Sequence, residues 1–223
     1  MLTQSWEGIA VDLDIHQVER HFDVLDTAGV PKAYRLWSLK DHTENDPREP
    51  VIRDAENQPA QDVCDNLTGN SWLVLAGDVG TGKTTFASAT FNDMVARRVR
   101  QSTNFGSKRS PKWLTEAKFL RMAAIAGSAG YHGRAAYVGS MITCPVLILD
   151  DLGGQRTDLT KWGVGAIRDI FDERYANERP TIMTTNLASW EELARRYGDH
   201  IVSRMIERAK YMTVLKGRDR GIG

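Results

Sequence analysis

The chain has 223 residues, enough for one domain with its own buried core and a short extension. Lysine and arginine together number 29, as do aspartate and glutamate, so overall charge points to neither a nucleic acid nor a membrane. The two cysteines, Cys64 and Cys144, lie far apart without metal-binding neighbours, which argues against a zinc site or a disulfide framework. We therefore expect a reducing, cytoplasmic setting. We see no export signal and no apolar run approaching ~20 residues, and we expect no membrane span.

The first elements are an N-terminal helix and a polar connection. Apolar residues spaced three or four apart behind Asp14 predict one amphipathic helix. They are Ile15, Val18, Phe22 and Leu25. Their face either packs on the protein's own core or docks another protein, and the sequence leaves both open. The stretch 40–70 is polar and contains prolines, which predicts a surface connection with one short helix. We expect a helical arm at 1–45 and the main domain at 46–223.

Short apolar runs alternate with longer amphipathic stretches after Asn70. The candidate strands are 72–76, 112–115, 145–149, 181–185 and 211–215. The helical stripes between them are Ala87, Thr90, Phe91, Met94 and Val95, then Ile167, Ile170, Phe171 and Tyr175. A further helix is predicted to begin at Ser189, with Glu192 as its capping partner, and to end at Gly198. This alternation predicts an α/β fold with a five-stranded parallel sheet flanked by helices.

A glycine-rich loop joins the first strand to the next helix and matches the P-loop pattern G-x-x-x-x-G-K-[ST] in full. Its residues are Gly77, Asp78, Val79, Gly80, Thr81, Gly82, Lys83 and Thr84, followed by Thr85. Glycines let the backbone N–H groups turn toward a phosphate at the positive end of the helix. Lys83 supplies charge for the β- and γ-phosphates, and the Thr84 hydroxyl is a ligand that Mg²⁺ prefers. The loop predicts binding of ATP with Mg²⁺.

Two carboxylates end the third predicted strand, at the edge of a parallel sheet where ligands bind. Asp150 is the expected partner of the magnesium ion, held through water, and Asp151 the expected catalytic base for the attacking water. Without a P-loop upstream, such a strand end would be equally well an ordinary turn. The fourth strand ends in Thr184-Thr185-Asn186. If it lies beside the Asp150 strand, the Asn186 amide can reach the water or the γ-phosphate.

Together, the P-loop, Leu149-Asp150-Asp151, Thr184-Thr185-Asn186 and Ser203-Arg204-Met205 occur in an order that resembles AAA+ ATPases. The resemblance is to the DnaC and IstB branch of helicase loaders and transposition helpers. Further segments that carry it are 29–35, 179–181 and 200–202, and it covers about 29–220. It implies an AAA+ P-loop NTPase whose Asn186 is the sensor-1 residue. It also implies that Arg204 is an arginine finger inserted into the site of a neighbouring subunit.

The sequence also departs from this family. Asp151 stands where the family often has glutamate, which has one methylene more, so the reach of Asp151 to the water is in question. We expect no C-terminal helical lid of the kind that larger AAA+ proteins have, and this branch commonly lacks that lid. The part before Gly29 is short compared with the N-terminal domain of many loaders.

The stretch 96–112 contains basic residues and no acidic one. Candidate DNA contacts in it are Arg97, Arg98, Arg100, Phe105, Lys108 and Arg109. These side chains either follow a single-stranded DNA backbone, with Phe105 stacking on a base, or form a solvated surface loop. The resemblance favours single-stranded DNA held by a homo-oligomer, a spiral or a hexamer, without sequence-specific contacts.

Three functions fit these patterns. The first is an ATP-dependent loader that delivers a replicative DNA helicase, and the small size is compatible with a phage or prophage origin. The second is an IstB-like transposition helper ATPase with the same catalytic parts. The third is a nucleotide-gated adaptor with little turnover, and a P-loop kinase ranks last because no lid or acceptor-binding segment is evident.

Overall fold

Helices and parallel strands alternate along the chain in the computed structural model, which describes residues 13–39, 71–101, 110–128, 130–154, 161–187 and 189–209 and the backbone of 212–215. The strands are β1 (Trp72–Gly77), β2 (Lys112–Thr115), β3 (Leu147–Leu152), β4 (Thr181–Thr185) and β5 (Met212–Leu215). The helices are α1 (Ile15–Ala28), α2 (Lys83–Arg100), α3 (Glu116–Ser128), α4 (Tyr131–Thr143), α5 (Lys161–Ala176), α6 (Trp190–Tyr197) and α7 (Asp199–Ala209), with a 3-10 turn at Lys32–Tyr34. The predicted connection at 40–70 lies outside the described residues.

The strands form one sheet in the order β2-β3-β4-β1-β5, and every neighbouring pair is parallel. The predicted α/β fold with a parallel sheet is therefore confirmed. Because β1 and β4 are covered by helices on both faces, all of their residues are buried, and the continuous apolar run of β1 is typical of such a strand. The predicted limits of β3 need correction. The strand begins at Leu147 rather than residue 145, and it continues past 149 to include Asp150 and Asp151.

Helix α2 forms the centre of one layer. Its side chains are buried on nearly every face, and Phe86, Phe91 and Met94 have no exposed surface. They pack with Leu73 and Leu75 of β1 in one apolar cluster. The first residue of α2 is the P-loop lysine, so the helix fixes the position of this side chain relative to the sheet.

Helix α1 begins at a reciprocal cap, in which the Asp14 side chain accepts from Gln17 N and the Gln17 side chain accepts from Asp14 N. It ends at Gly29, whose φ of 87° favours glycine. Leu25 is fully buried in the cluster that contains the α2 side chains, and Phe22 packs against that cluster. Ile15, at the start of the helix, is 67% exposed. The structure therefore shows the predicted apolar face packed on the protein's own core over the second half of α1.

The opposite face of the sheet is covered by a second cluster built around α5. Ile170 and Phe171 of α5 are fully buried there, together with Leu147 and Met183 from the sheet. Helices α3 and α4, which the sequence patterns did not predict, pack against each other, and α4 packs against α5. In the part of the chain that the structure describes, no helix is long and apolar enough to cross a membrane.

Candidate nucleotide-binding site

The P-loop connects the buried end of β1 to the first turn of α2. Gly77, Gly80 and Gly82 have φ values of 138°, 80° and 93°, a region that residues with a Cβ rarely adopt. Lys83 is 8% exposed, and its Nζ donates to Gly77 O at 2.9 Å and to Asp78 O at 2.6 Å. The loop therefore wraps around the lysine ammonium group.

Burial and nearby carboxylates have opposite effects on the charge of Lys83. Burial lowers the pKa of its ammonium group, and the carboxylates of Asp151, Asp150 and Asp78 act in the opposite direction. An ammonium group that has lost part of its hydration is a strong partner for a phosphate, because charge-assisted hydrogen bonds gain strength away from water. The position of Lys83 at the helix start adds the positive end of α2 to the same region.

Asp150 joins the P-loop helix to the two central strands. Its side chain is buried, and Oδ1 accepts from Thr84 Oγ1 at 3.0 Å and from Thr184 Oγ1 at 2.6 Å. Thr84 and Asp150 were the predicted magnesium ligands, and the structure brings their oxygen atoms together. Both are hard oxygen donors, and Mg²⁺ bound with a nucleotide typically takes one or two protein oxygens plus phosphates and water. Within the described residues, no group of three or more His, Cys, Asp or Glu forms a separate metal site.

Asp151 begins a tight turn at the end of β3. Its φ of 58° is in the left-handed region, and its N–H donates to Thr184 Oγ1 at 2.8 Å. Asn186 at the end of β4 donates from Nδ2 to Asp151 Oδ1 at 3.1 Å, because β3 and β4 are neighbours in the sheet. Burial raises the pKa of the Asp151 carboxyl group, and the charge of Asp150 raises it further. A carboxylate with a raised pKa is a better proton acceptor.

The turn after Asp151 is shaped around its carboxylate. A Cβ added at Gly154 would lie 2.1 Å from Asp151 Oδ2, which is closer than atoms can approach. Gly154 N also donates to Asp151 O at 3.1 Å. Glycine at position 154 therefore leaves the space that the Asp151 side chain occupies.

The other predicted site residues lie elsewhere. Arg204 is 24% exposed on α7, where it forms an ion pair with Asp172 and lies 5.0 Å from the centre of the Tyr175 ring. Both partners belong to α5, so the described contacts do not bring Arg204 to the P-loop of its own chain. Of the basic stretch, Arg97, Arg98 and Arg100 lie in the last turn of α2, and Arg100 is exposed. Phe105, Lys108 and Arg109 lie outside the described residues.

Sequence reasoning missed Thr184 and Thr185 as site residues. The Thr184 hydroxyl contacts both Asp150 and Asp151, as described above, and Thr185 Oγ1 donates to Leu152 O at 2.8 Å. A strand that ends in Thr-Thr-Asn contains the signal, but its use requires knowing that this strand is the neighbour of β3.

Comparisons with known proteins show which family the chain belongs to. Residues 51–214 match the IstB-like ATP binding proteins. The chain belongs to this family. The fold is also that of the DnaC helicase loader, with a TM-score of 0.66, 23% identity and coverage of 83% of this chain and 100% of the DnaC chain. DnaI matches with a TM-score of 0.64, 21% identity and coverage of 86% and 94%.

A putative primosome component from Streptococcus pyogenes serotype M3 has the same fold, with a TM-score of 0.61, 23% identity and coverage of 86% and 93%. Among curated proteins, none matches this chain significantly. The predicted resemblance to AAA+ ATPases of the DnaC and IstB branch is confirmed. In this IstB-like ATP binding protein, the P-loop, Asp150 and Asp151 meet at one edge of the sheet, the position expected for a nucleotide.

Proposed function

We propose that this chain is an ATPase whose site lies at the carboxyl ends of β1, β3 and β4. The observation that carries the proposal is the hydrogen-bonded set that joins Thr84 to Asp150 and Asp151 to Asn186, next to the Lys83 ammonium group. In this assignment the loop N–H groups and Lys83 bind the β- and γ-phosphates. Mg²⁺ held by Thr84 and Asp150 would neutralise phosphate charge.

The hydrolysis of ATP uses the side chains at the ends of β3 and β4. Asp151 accepts a proton from a water molecule as the water oxygen forms a bond to the γ-phosphorus. The bond from the γ-phosphorus to the bridging oxygen breaks, and ADP leaves with the bonding electron pair. Asn186, which donates to Asp151 at 3.1 Å, orients the carboxylate and senses the γ-phosphate. Lys83 stabilises the charge that develops on the phosphates.

A neighbouring subunit completes this site in the proposal. Arg204 would enter the site of the next copy and stabilise charge on the γ-phosphate, as arginine fingers do. The partial exposure of Arg204 supports this role, and its ion pair with Asp172 and its contact with Tyr175 would be exchanged for the phosphate of the neighbouring site. Turnover should then rise with protein concentration and disappear in Arg204→Ala.

We further propose that the ATPase delivers a replicative DNA helicase to single-stranded DNA as a homo-oligomer. The similarity to the DnaC helicase loader and to DnaI over most of both chains supports this client. The basic end of α2, with Arg97, Arg98 and Arg100, supports contact with a DNA backbone. The family of IstB-like ATP binding proteins favours the second candidate, an ATPase that assists a transposase.

The ATPase is tested with Lys83→Ala. Removing the ammonium group should lower the affinity for Mg-ATP by roughly 100-fold and abolish turnover, because the positive charge assigned to the β- and γ-phosphates is lost. Lys161→Ala at the exposed start of α5 is the matched control and should bind as the wild type does. Titration calorimetry with ATP and Mg²⁺ measures both. Absence of ATP binding by the wild-type chain would contradict the proposal.

The client is tested by copurification. The tagged chain should retain the hexameric replicative helicase of its own cell in the presence of ATP, and Lys83→Ala should retain less. Retention of a transposase in place of the helicase would establish the second candidate. Binding of a labelled single strand should weaken as salt rises, and an affinity independent of salt would contradict a backbone contact.

A further inference from the structure

Glu116 is a buried carboxylate that the proposed chemistry does not use. It is the first residue of α3, directly after β2, and has no exposed surface. A carboxylate away from water is unfavourable unless hydrogen bonds and an opposite charge compensate for the lost hydration. Its partners therefore indicate what the side chain is for.

Glu116 connects two separate parts of the chain. Oε2 accepts from the backbone N–H of Gly153 at 3.1 Å and from Arg196 at 3.3 Å. Oε1 accepts from the Tyr197 hydroxyl group at 2.8 Å. Gly153 belongs to the turn after β3, whereas Arg196 and Tyr197 are the last two residues of α6.

The turn that Glu116 contacts carries Asp151. Positive φ values of 58° at Asp151 and 76° at Gly153 are unfavourable for most residues and persist only where surrounding contacts hold them. Thr184 binds the backbone N–H of Asp151, and Thr185 binds the carbonyl of Leu152. Glu116 accepts from Gly153 N, and this backbone contact comes from α3 rather than from β4.

Arg196 and Tyr197, the partners of Glu116 on α6, lie next to the helix that carries Arg204. Helix α6 ends at Tyr197, and α7 begins at Asp199 after Gly198. Gly198 has a φ of 96°, and the Tyr197 carbonyl accepts from Arg168 of α5 at 2.8 Å. The junction between α6 and α7 is thus held from α5 and, through Glu116, from the turn of Asp151.

We propose that Glu116 is a positioning residue that fixes the Asp151 turn and joins it to the α6–α7 pair. This inference rests on the proposed ATPase function. Glu116 contacts the turn at the Gly153 amide, and its charge also raises the pKa of Asp151, so its loss acts on Asp151 and leaves the P-loop and the contacts of Asp150 in place. Binding of nucleotide therefore persists when Glu116 is changed, and the rate of hydrolysis falls because Asp151 is less well held.

The test is Glu116→Gln, which keeps the size of the side chain and removes its charge. We expect kcat for ATP to fall by roughly tenfold, with KM and the affinity for a non-hydrolysable ATP analogue within about twofold of wild type. Hydrogen exchange in the segment 150–154 should become faster. Glu19→Gln, on the exposed side of α1, removes the same charge far from the site and should leave all of these values unchanged.

Tyr197→Phe provides a second variant, because it removes the hydroxyl contact and keeps the carboxylate with Gly153 and Arg196. We expect kcat to fall by about threefold with KM unchanged. Wild-type kcat in both variants would overturn the inference. A loss of analogue affinity or of melting temperature that accounts for the whole fall in kcat would also overturn it, since the role would then be structural. A wild-type chain without turnover would overturn the proposed function and this inference together.

Discussion

Each end of the parallel sheet contains a buried cationic side chain, and the two cations have different kinds of partners. At the amino ends of β3 and β4, Arg174 is fully buried and donates to the carbonyl groups of Met141, Cys144 and Pro180 and to the hydroxyl of Thr181. These partners are neutral and belong to the backbone or to a strand. At the carboxyl ends, Lys83 lies among carboxylates, and the hydroxyl groups of Thr84 and Thr184 meet on Asp150.

The difference separates a structural site from the proposed reactive end of the sheet. Burial lowers the pKa of Arg174 to about 10, so this guanidinium group keeps its charge at neutral pH, surrounded by backbone acceptors. Its donors join the end of α4, the segment that leads into β3, and the start of β4. The carboxylates at the other end retain acceptor capacity, and a lysine of opposite charge lies near them. We therefore expect changes at the amino end to affect stability and changes at the carboxyl end to affect turnover.

Arg174→Leu should give the largest effect and should act on folding alone. The carbonyl groups that Arg174 binds would be left buried without a donor, which costs about 4 kcal/mol of unfolding free energy. Urea unfolding measures the loss. Arg168→Leu, which removes a single bond from a more exposed arginine to Tyr197 O, should cost below about 1 kcal/mol. ATP affinity of folded Arg174→Leu that differs from wild type would break the distinction between the two ends.

Asp151→Asn should lower kcat by about 100-fold, because an amide cannot accept the proton of the attacking water. Stability should stay the same or rise slightly, since the variant removes repulsion from Asp150. Single-turnover hydrolysis and thermal unfolding of the same samples give both values. Asp23→Asn on the exposed side of α1 is the control. Undiminished hydrolysis by Asp151→Asn would remove this residue from the reactive end.

His21 extends the comparison to a buried base whose ring nitrogens make no hydrogen bond to the residues that the structure describes, in contrast to Arg174. Burial lowers the pKa of His21 to about 4 from its usual 6.5. Below pH 6.5 His21 becomes protonated in the unfolded chain and stays neutral in the folded chain, so the free energy of unfolding falls as pH falls. Between pH 7 and 5 this contribution is about 2 kcal/mol.

The measurement is urea unfolding of the wild type and of His21→Leu at pH 7 and pH 5. The variant should lose less stability on acidification, by the amount given above. His132→Gln, at an exposed position of α4, should lose as much stability between pH 7 and pH 5 as the wild type does. Equal pH dependence in the wild type and His21→Leu would show that His21 is protonated in the folded state.

Gly154→Ala should affect the rate less than Asp151→Asn does, by about tenfold in kcat. The added Cβ would displace the Asp151 carboxylate, which can rotate away at little cost to folding. ATP affinity and melting temperature should remain near wild type, and steady-state kinetics with calorimetry will show this. Gly139→Ala, where an added Cβ meets no atom within 4 Å, is the matched control. A Gly154→Ala variant with wild-type kcat would mean that the exact place of Asp151 has little importance.

Much of the reactive end could be predicted from the sequence because its signals are local. The P-loop spacing indicates Lys83 and Thr84, and an apolar run that ends in two carboxylates indicates Asp150 and Asp151. The contacts of Thr184 and Glu116 could not be predicted in this way. They depend on which strands are neighbours and on a turn with left-handed backbone angles, and neither is encoded in the spacing of apolar residues.

The predicted helices have a clear apolar stripe or cap, whereas α3, α4 and α7 were missed, and α4 has the weakest apolar pattern of these. Helix α2 has enough apolar positions to be recognised, and α1 has a clear cap at Asp14. In α4 a single residue, Met141, is buried, and glycines interrupt the sequence. Its packing against α3 and α5 stabilises a helix that its own composition does not indicate.

The enclosure of α2 has a practical consequence. Because this helix is covered on nearly all sides, its amide hydrogens exchange with solvent only when the whole domain opens. A ligand that binds only the folded state lowers the frequency of that opening in proportion to its occupancy. The slowest-exchanging amides of α2 can therefore report the binding of any candidate nucleotide to unlabelled protein, even in a variant that hydrolyses nothing.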